Sequence, residues 1–136
     1  MRPFANESYS ATLAPWSPVH PRNDHQLIFP LNDDRLLFVW CAYYVMSPSR
    51  IFDTPYTEHR TMDASPCRIQ GKVSCDQGRT WSAELTLQDN VGVDNVKHPN
   101  LMRLPSGRIL FTYTVRNIEE RDLRVYLKYS DDECDS

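Results

Sequence analysis

The sequence predicts an all-β protein made of about two successive four-stranded antiparallel units, the second incomplete, and three observations predict it. First, Leu27 to Trp40 (LIFPLNDDRLLFVW) aligns without gaps on Asn100 to Tyr113 (NLMRLPSGRILFTY) at an offset of 73 residues. Leu31, Arg35, Leu37 and Phe38 then meet Leu104, Arg108, Leu110 and Phe111. Second, Arg68 to Asp76 (RIQGKVSCD) aligns on Arg124 to Asp132 (RVYLKYSDD) at an offset of 56. Third, the octapeptide Ser74-Cys75-Asp76-Gln77-Gly78-Arg79-Thr80-Trp81 holds the residue types of a tight turn between strands. Asp76 can accept from backbone N–H groups ahead of it, and Gly78 can take φ > 0.

The elements follow in chain order. Residues 1–21 carry Pro3, Pro15, Pro18 and Pro21, which resist regular strands and predict an extended lead-in. Each copy of the 73-residue repeat reads as an apolar strand, a polar turn (Asn32-Asp33-Asp34 or Pro105-Ser106-Gly107) and a second apolar strand, which is a hairpin. The third strand alternates in both copies: Cys67, Ile69, Gly71 and Val73 share one face, as Leu123, Val125, Leu127 and Tyr129 do. The octapeptide is the third turn of the first unit, and Trp81 opens the next strand. The units run over about 22–90 and 91–136. The two offsets differ by 17 residues, which places a long insertion between the second and third strands of the first unit, from about Val45 to Pro66.

Ser74, Asp76, Gly78, Thr80 and Trp81 fit the pattern Ser-x-Asp-x-Gly-x-Thr-Trp at every specified position, and this resembles the Asp-box of sialidase-like β-propellers. The resemblance covers roughly residues 22–136. It implies a six-bladed propeller of which this chain holds two four-stranded blades, the second incomplete. The box is a structural turn in that family and does not by itself imply activity. The second box, Ser130 to Ser136, has Cys134 where Gly belongs and no Trp. A non-Gly residue at φ > 0 costs about 1–2 kcal/mol, so this turn is expected not to close. Open blade faces then predict poor solution behaviour and association with further blades or with itself.

In an antiparallel unit the first and third turns lie at one end, and the second turn and the inter-unit link at the other. Arg22 to Gln26, the long loop, Val93 to His98 and the loop Arg116 to Asp122 therefore share one rim, opposite the Asp-box. Long loops on a rigid scaffold concentrate function. Asp53, Glu58, His59, Arg60 and Asp63 form the densest cluster of ionisable groups in this one. The run Asp63-x-x-x-Cys67-Arg68-Ile69-x-Gly71-x-Val73-Ser74 resembles the stretch where sialidase-like enzymes place an Asp as general acid/base, which implies that role for Asp63. A turn-forming Asp is the other reading.

The stretch Gly92-x-x-Asn95-Val96-x-x-Pro99 is similar to the opening of the second blade in bacterial sialidase-like proteins, which implies that Asn95 faces the central pocket, with Lys97, Arg60 and Arg22 along it. The chain departs from the family at Asp24-His25-Gln26, where sialidases carry Arg-Ile-Pro and use its Arg to grip the substrate carboxylate. Either Arg22 moves into place, Arg60 substitutes, or the substrate is not a sialic acid. The implied function is hydrolysis of a terminal glycosidic bond of a carbohydrate, a sialoside among the candidates. It belongs to the complete protein, with the isolated chain expected to be inactive. A non-catalytic Asp-box propeller that binds carbohydrate or protein is the alternative.

Composition narrows the field. The 136 residues are 40% hydrophobic and 24% charged, as in a globular domain. A net charge of −3 gives no footprint for nucleic acid, and no basic run marks a membrane surface. Cys41, Cys67, Cys75 and Cys134 show no C-x-x-C pair, and His20, His25, His59 and His98 lack ligand spacing, so neither a metal nor another cofactor is expected. Trp40, Tyr43, Tyr44, Phe111 and Tyr113 lie inside apolar strands and read as core. No signal peptide is read at Met1 to Glu7, which points to the cytoplasm if that N-terminus is genuine.

Overall fold

In the computed structural model, residues 9–32, 34–44, 65–117 and 121–135 are described. They form two antiparallel sheets and, among the described residues, no helix. Sheet A holds β1 (Arg22–Pro30), β2 (Leu36–Tyr43), β3 (Cys67–Ser74) and β4 (Leu85–Gln88) in that order. Sheet B holds β5 (Asn95–Arg103), β6 (Ile109–Asn117) and β7 (Asp122–Ser130). Both predicted hairpins form, with Leu31 to Arg35 and Leu104 to Arg108 as their turns. The two sheets do not close into a ring.

The sequence repeat is also a backbone repeat. The β1/β2 register breaks between Asp24 and Leu27, and the β5/β6 register breaks between Lys97 and Asn100, 73 residues on. Each break holds one residue at positive φ, His25 (48°) and His98 (57°). The hairpin turns do the same at Asp34 (59°) and Gly107 (92°).

Alternation along the strands decides what packs where. Leu37 and Val39 of β2 and Ile69 of β3 face sheet B, where Val96, Ile109, Tyr113 and Val115 meet them. Val39, Ile69 and Val96 are fully buried, and each such side chain contributes about 1.5–3 kcal/mol. The other face of sheet A, Phe38, Trp40 and Ala42, is covered by Leu13 and Ala14 of the lead-in and by Trp81. Residues 9–21 hold no strand, and polar contacts pin them. Lys72 Nζ donates to the Leu13 carbonyl (2.7 Å), and Asn23 Nδ2 donates to those of Ala14 and Pro15 (both 3.3 Å). Sheet B buries Phe111 and Tyr113 against sheet A and leaves Leu123, Val125, Leu127 and Tyr129 exposed on its far face.

The turn from Ser74 to Trp81 forms as its residue types demand. Asp76 Oδ1 accepts from Thr80 N (2.8 Å) and Ser74 Oγ (2.9 Å), and Oδ2 accepts from Thr80 Oγ1 (2.6 Å). These donors hold the Asp76 carboxyl down at about 2, the Thr80 hydroxyl contributing most. Ser74 Oγ accepts from Gly78 N (2.8 Å), Gly78 sits at φ 88°, and Trp81 Nε1 donates to the Gly78 carbonyl (3.0 Å).

The second turn corrects the expectation that it would stay open. Ser130 Oγ accepts from Cys134 N (2.9 Å) as Ser74 does from Gly78, and Cys134 takes φ 63°. Ion pairs absent from the first turn offset the strain. Glu133 accepts from both Arg103 guanidinium nitrogens (2.6 and 2.8 Å) and from the backbone and side-chain amides of Asn32 (both 2.7 Å). Arg35 pairs with Asp135 (2.8 Å) and Arg108 with Asp131 (2.7 Å). The turn thus fastens sheet B to the β1/β2 turn of sheet A.

Candidate functional site

The opposite rim is built on the two bulges. In a regular strand His25 would alternate away from its neighbours, but the extra residue re-aims its ring toward the equivalent one. The His25 and His98 rings meet edge to face, centroids 4.6 Å apart at 84°. Asp24 orients the first of them, its Oδ1 lying 2.7 Å from His25 Nδ1. Asp24 Oδ2 accepts from Arg22 Nε (2.6 Å), and the guanidinium carbon of Arg22 sits 4.5 Å over the Tyr43 ring. Two non-glycine residues held at positive φ on one rim form a local store of strain of the kind found at binding sites.

Beneath this surface lies a closed layer. Cys41, Tyr43 and Cys67 share one face of β2 and β3 and are buried together. Burial, reinforced by the neighbouring Cys41, pushes the Cys67 thiol well above its ordinary range. Burial and then the Asp24 charge push the Tyr43 phenol up as well. These groups are neutral near pH 7 and act as packing. No cysteine is bridged.

Asn95 and Lys97 are both buried, and Asn95 Nδ2 donates to the Ser65 carbonyl (3.2 Å), which returns the end of the long connection to this rim. Beside them, Lys97, His98, Arg116, Arg121 and Leu123 line a cleft of about 360 Å³. Its walls are rich in cationic groups, and the nearest carboxylate, Asp122, accepts from Arg124 Nε (3.0 Å). Such a cleft suits an anionic or hydroxyl-rich ligand more than an apolar one.

Of the residues singled out in the sequence, Arg22, Asn95 and Lys97 come to this rim, while Ser74, Asp76, Gly78, Thr80 and Trp81 lie at the other end. Asp63 and Arg60 lie outside the described residues, as do Asp53, Glu58 and His59. The structure adds His25, His98, Arg116 and Arg121. The signal for the first two was arithmetic, because carrying the 73-residue offset two positions further sets His25 on His98. One atom each from Asp24, His25 and Cys41 lies within 4.8 Å of the others, the spacing of metal donors. Both carboxylate oxygens of Asp24 are committed, one to Arg22 and one to His25. A cation would have to displace a guanidinium, so these residues do not fit a metal.

No family model matches the chain, and no curated protein compared with it matches. Among the described residues no helix is long and apolar enough to cross a membrane.

Proposed function

We propose that this chain belongs to a sialidase-like, six-bladed β-propeller glycoside hydrolase, which cleaves a terminal glycosidic bond of a carbohydrate, a sialoside being the first substrate to test. The observation that carries the reading is the octapeptide at Ser74 to Trp81 on a sheet whose hairpin, bulge and third turn all recur in the next sheet. Sheets A and B are then successive blades, and the His25/His98 rim is the side on which such proteins bind substrate. Asp63 is the general acid/base, giving a proton to the leaving glycosidic oxygen and taking one from the attacking water. Asn95, Lys97, Arg22 and Arg60 line the pocket. Asn95 reaching Ser65, two positions beyond Asp63, supports this placement.

The test is hydrolysis of a fluorogenic sialoside by this chain and by a polypeptide that completes the propeller. Cleavage by the longer form alone is expected, and Asp63→Asn in that form should cut kcat by two or more orders of magnitude while leaving its melting temperature unchanged. Unchanged turnover removes Asp63 from the scheme.

One observation favours a second reading, a propeller that binds carbohydrate or protein without catalysis. Arg22 is engaged by Asp24 at 2.6 Å and stacked on Tyr43, so gripping a substrate carboxylate requires it to give up that pair. A folded longer form that binds a glycan array without cleaving any glycoside would establish this reading over the first.

A further inference from the structure

Two sheets have four edges, and three of them carry the features that stop edge-to-edge association. β1 has a bulge and Pro30, β5 has a bulge and Pro99, and β4 is four residues long. The fourth edge, β7, has none of these. Its nine residues pair with β6 without a register break, contain neither Pro nor Gly, and have no strand on the other side. On one face it presents Leu123, Val125, Leu127 and Tyr129, between 56% and 74% exposed.

The sequence of β7 also reads sensibly against itself. Laid antiparallel about Val125, a second copy sets Leu123 opposite Leu127, Val125 opposite Val125, and Arg124 opposite Tyr126. Asp122 then faces Lys128 twice, once on each side of the two-fold axis. The neighbouring in-phase registers fail on charge. Centring on Arg124 opposes two arginines, and centring on Tyr126 sets Arg124 against Lys128 twice, both destabilising arrangements. Head-to-tail stacking onto the Phe38/Trp40 face of another molecule is blocked because the lead-in residues Leu13 and Ala14 cover that face.

We propose that β7 is a homodimer edge: two copies of this chain join β7 to β7, antiparallel about Val125, into one six-stranded sheet. The interface is isologous, so it closes at two copies. It depends on the strand edge and on Asp122 and Lys128, not on the face carrying Leu123 and Val125.

Sedimentation equilibrium over a concentration series tests the proposal, with far-UV circular dichroism as the check on folding. The full chain should move from its monomer mass of 15.9 kDa to twice that value. Asp122→Lys and Lys128→Asp alone should each weaken the dimer about tenfold, and the double variant should return to within about threefold of the original. Val125→Cys, made with Cys75→Ser to remove the exposed thiol, should cross-link under mild oxidant, since directly opposed residues have Cα atoms within disulfide reach. Val125 is 74% exposed, so this arm decides the matter if a charge variant fails to fold. A chain that stays monomeric, a dimer indifferent to the single charge reversals, or a dimer that Val125→Cys does not cross-link overturns the proposal. Indifference to charge with loss of dimer in Leu127→Lys would instead mark face-to-face packing.

Discussion

Replacing Glu133 by Gln tests whether the altered second turn is what fastens the two sheets together. The carboxylate accepts four hydrogen bonds of 2.6–2.8 Å, two from Arg103 and two from Asn32. A charge-assisted bond contributes about 1.5–3 kcal/mol where water is excluded. Here the Glu133 and Arg103 side chains keep 18% and 26% of their exposure, and solvent screening reduces the ion-pair share. Gln retains an acceptor oxygen for part of the set, so the expected loss is about 1–2 kcal/mol, or roughly 3–10 °C in melting temperature. Urea unfolding of the wild type, Glu133→Gln, Arg103→Met and the double variant gives the coupling directly, expected at about 1 kcal/mol.

The same pair predicts a pH signature. Arg103 chiefly, then the Asn32 N–H, hold the Glu133 carboxyl at about 2 against an ordinary value of 4.5. Its folded-state pKa is depressed, so its contribution is complete above about pH 5 and is lost as pH falls from 4.5 toward 2. Gln does not titrate, so the stability gap between wild type and Glu133→Gln should shrink over that window. A coupling below about 0.3 kcal/mol, or a gap that persists unchanged at pH 2, would refute the clasp.

Two glycines should separate backbone strain from steric clash, measured by denaturant unfolding. Gly107 sits at φ 92° with no atom within 4 Å of an added Cβ, so Gly107→Ala should cost about 1–2 kcal/mol and Gly107→Asn less, because Asn tolerates that region. At Gly92 an added Cβ would lie 2.9 Å from Val115 Cγ1 and 3.1 Å from the Arg116 carbonyl. Gly92→Ala should therefore cost about 1–3 kcal/mol, and Gly92→Asn should bring no relief. For the thiols, exposed Cys75 should react with a disulfide reagent at pH 8 within the fast phase. Buried Cys41 and Cys67 should react only at the rate of unfolding, and fast labelling of either would contradict the closed layer beneath the rim.

The fold was legible because its information is periodic. Two-residue alternation set the faces of β2, β3, β6 and β7, and the repeat set the hairpins and the third turns. The fate of the second turn was not legible, because Cys134 at a glycine position shows its cost locally while the compensation comes from Asn32 and Arg35, about a hundred residues away. The site was legible only where it inherited the repeat. Arg22, Asn95 and Lys97 followed from strand ends, whereas Arg116 and Arg121 reach the cleft through the β6/β7 turn, whose residue types give no pattern. The Asp24 engagement of Arg22 was likewise hidden, since it needs the bulge that turns His25 toward His98.

That bulge links the two ends of the molecule in one argument. At the Asp-box end, residues at positive φ are held by hydroxyl and carboxylate acceptors from their own turn, and in the second turn also by arginines of both sheets. At the other end, His25 and His98 are held at positive φ by a ring contact and one carboxylate, next to an open cleft. The first arrangement satisfies its donors completely and leaves little for a ligand to gain. The second keeps cations and imidazoles at a surface where a ligand's oxygens can supply further acceptors. Strain with full internal satisfaction is a fastener, and strain beside an incompletely filled polar cleft is where binding energy can be collected. The division assigns stability to the rim of Glu133 and recognition to the rim of His98. Substitutions at the first should change unfolding free energy at constant affinity, and conservative substitutions at the second the reverse.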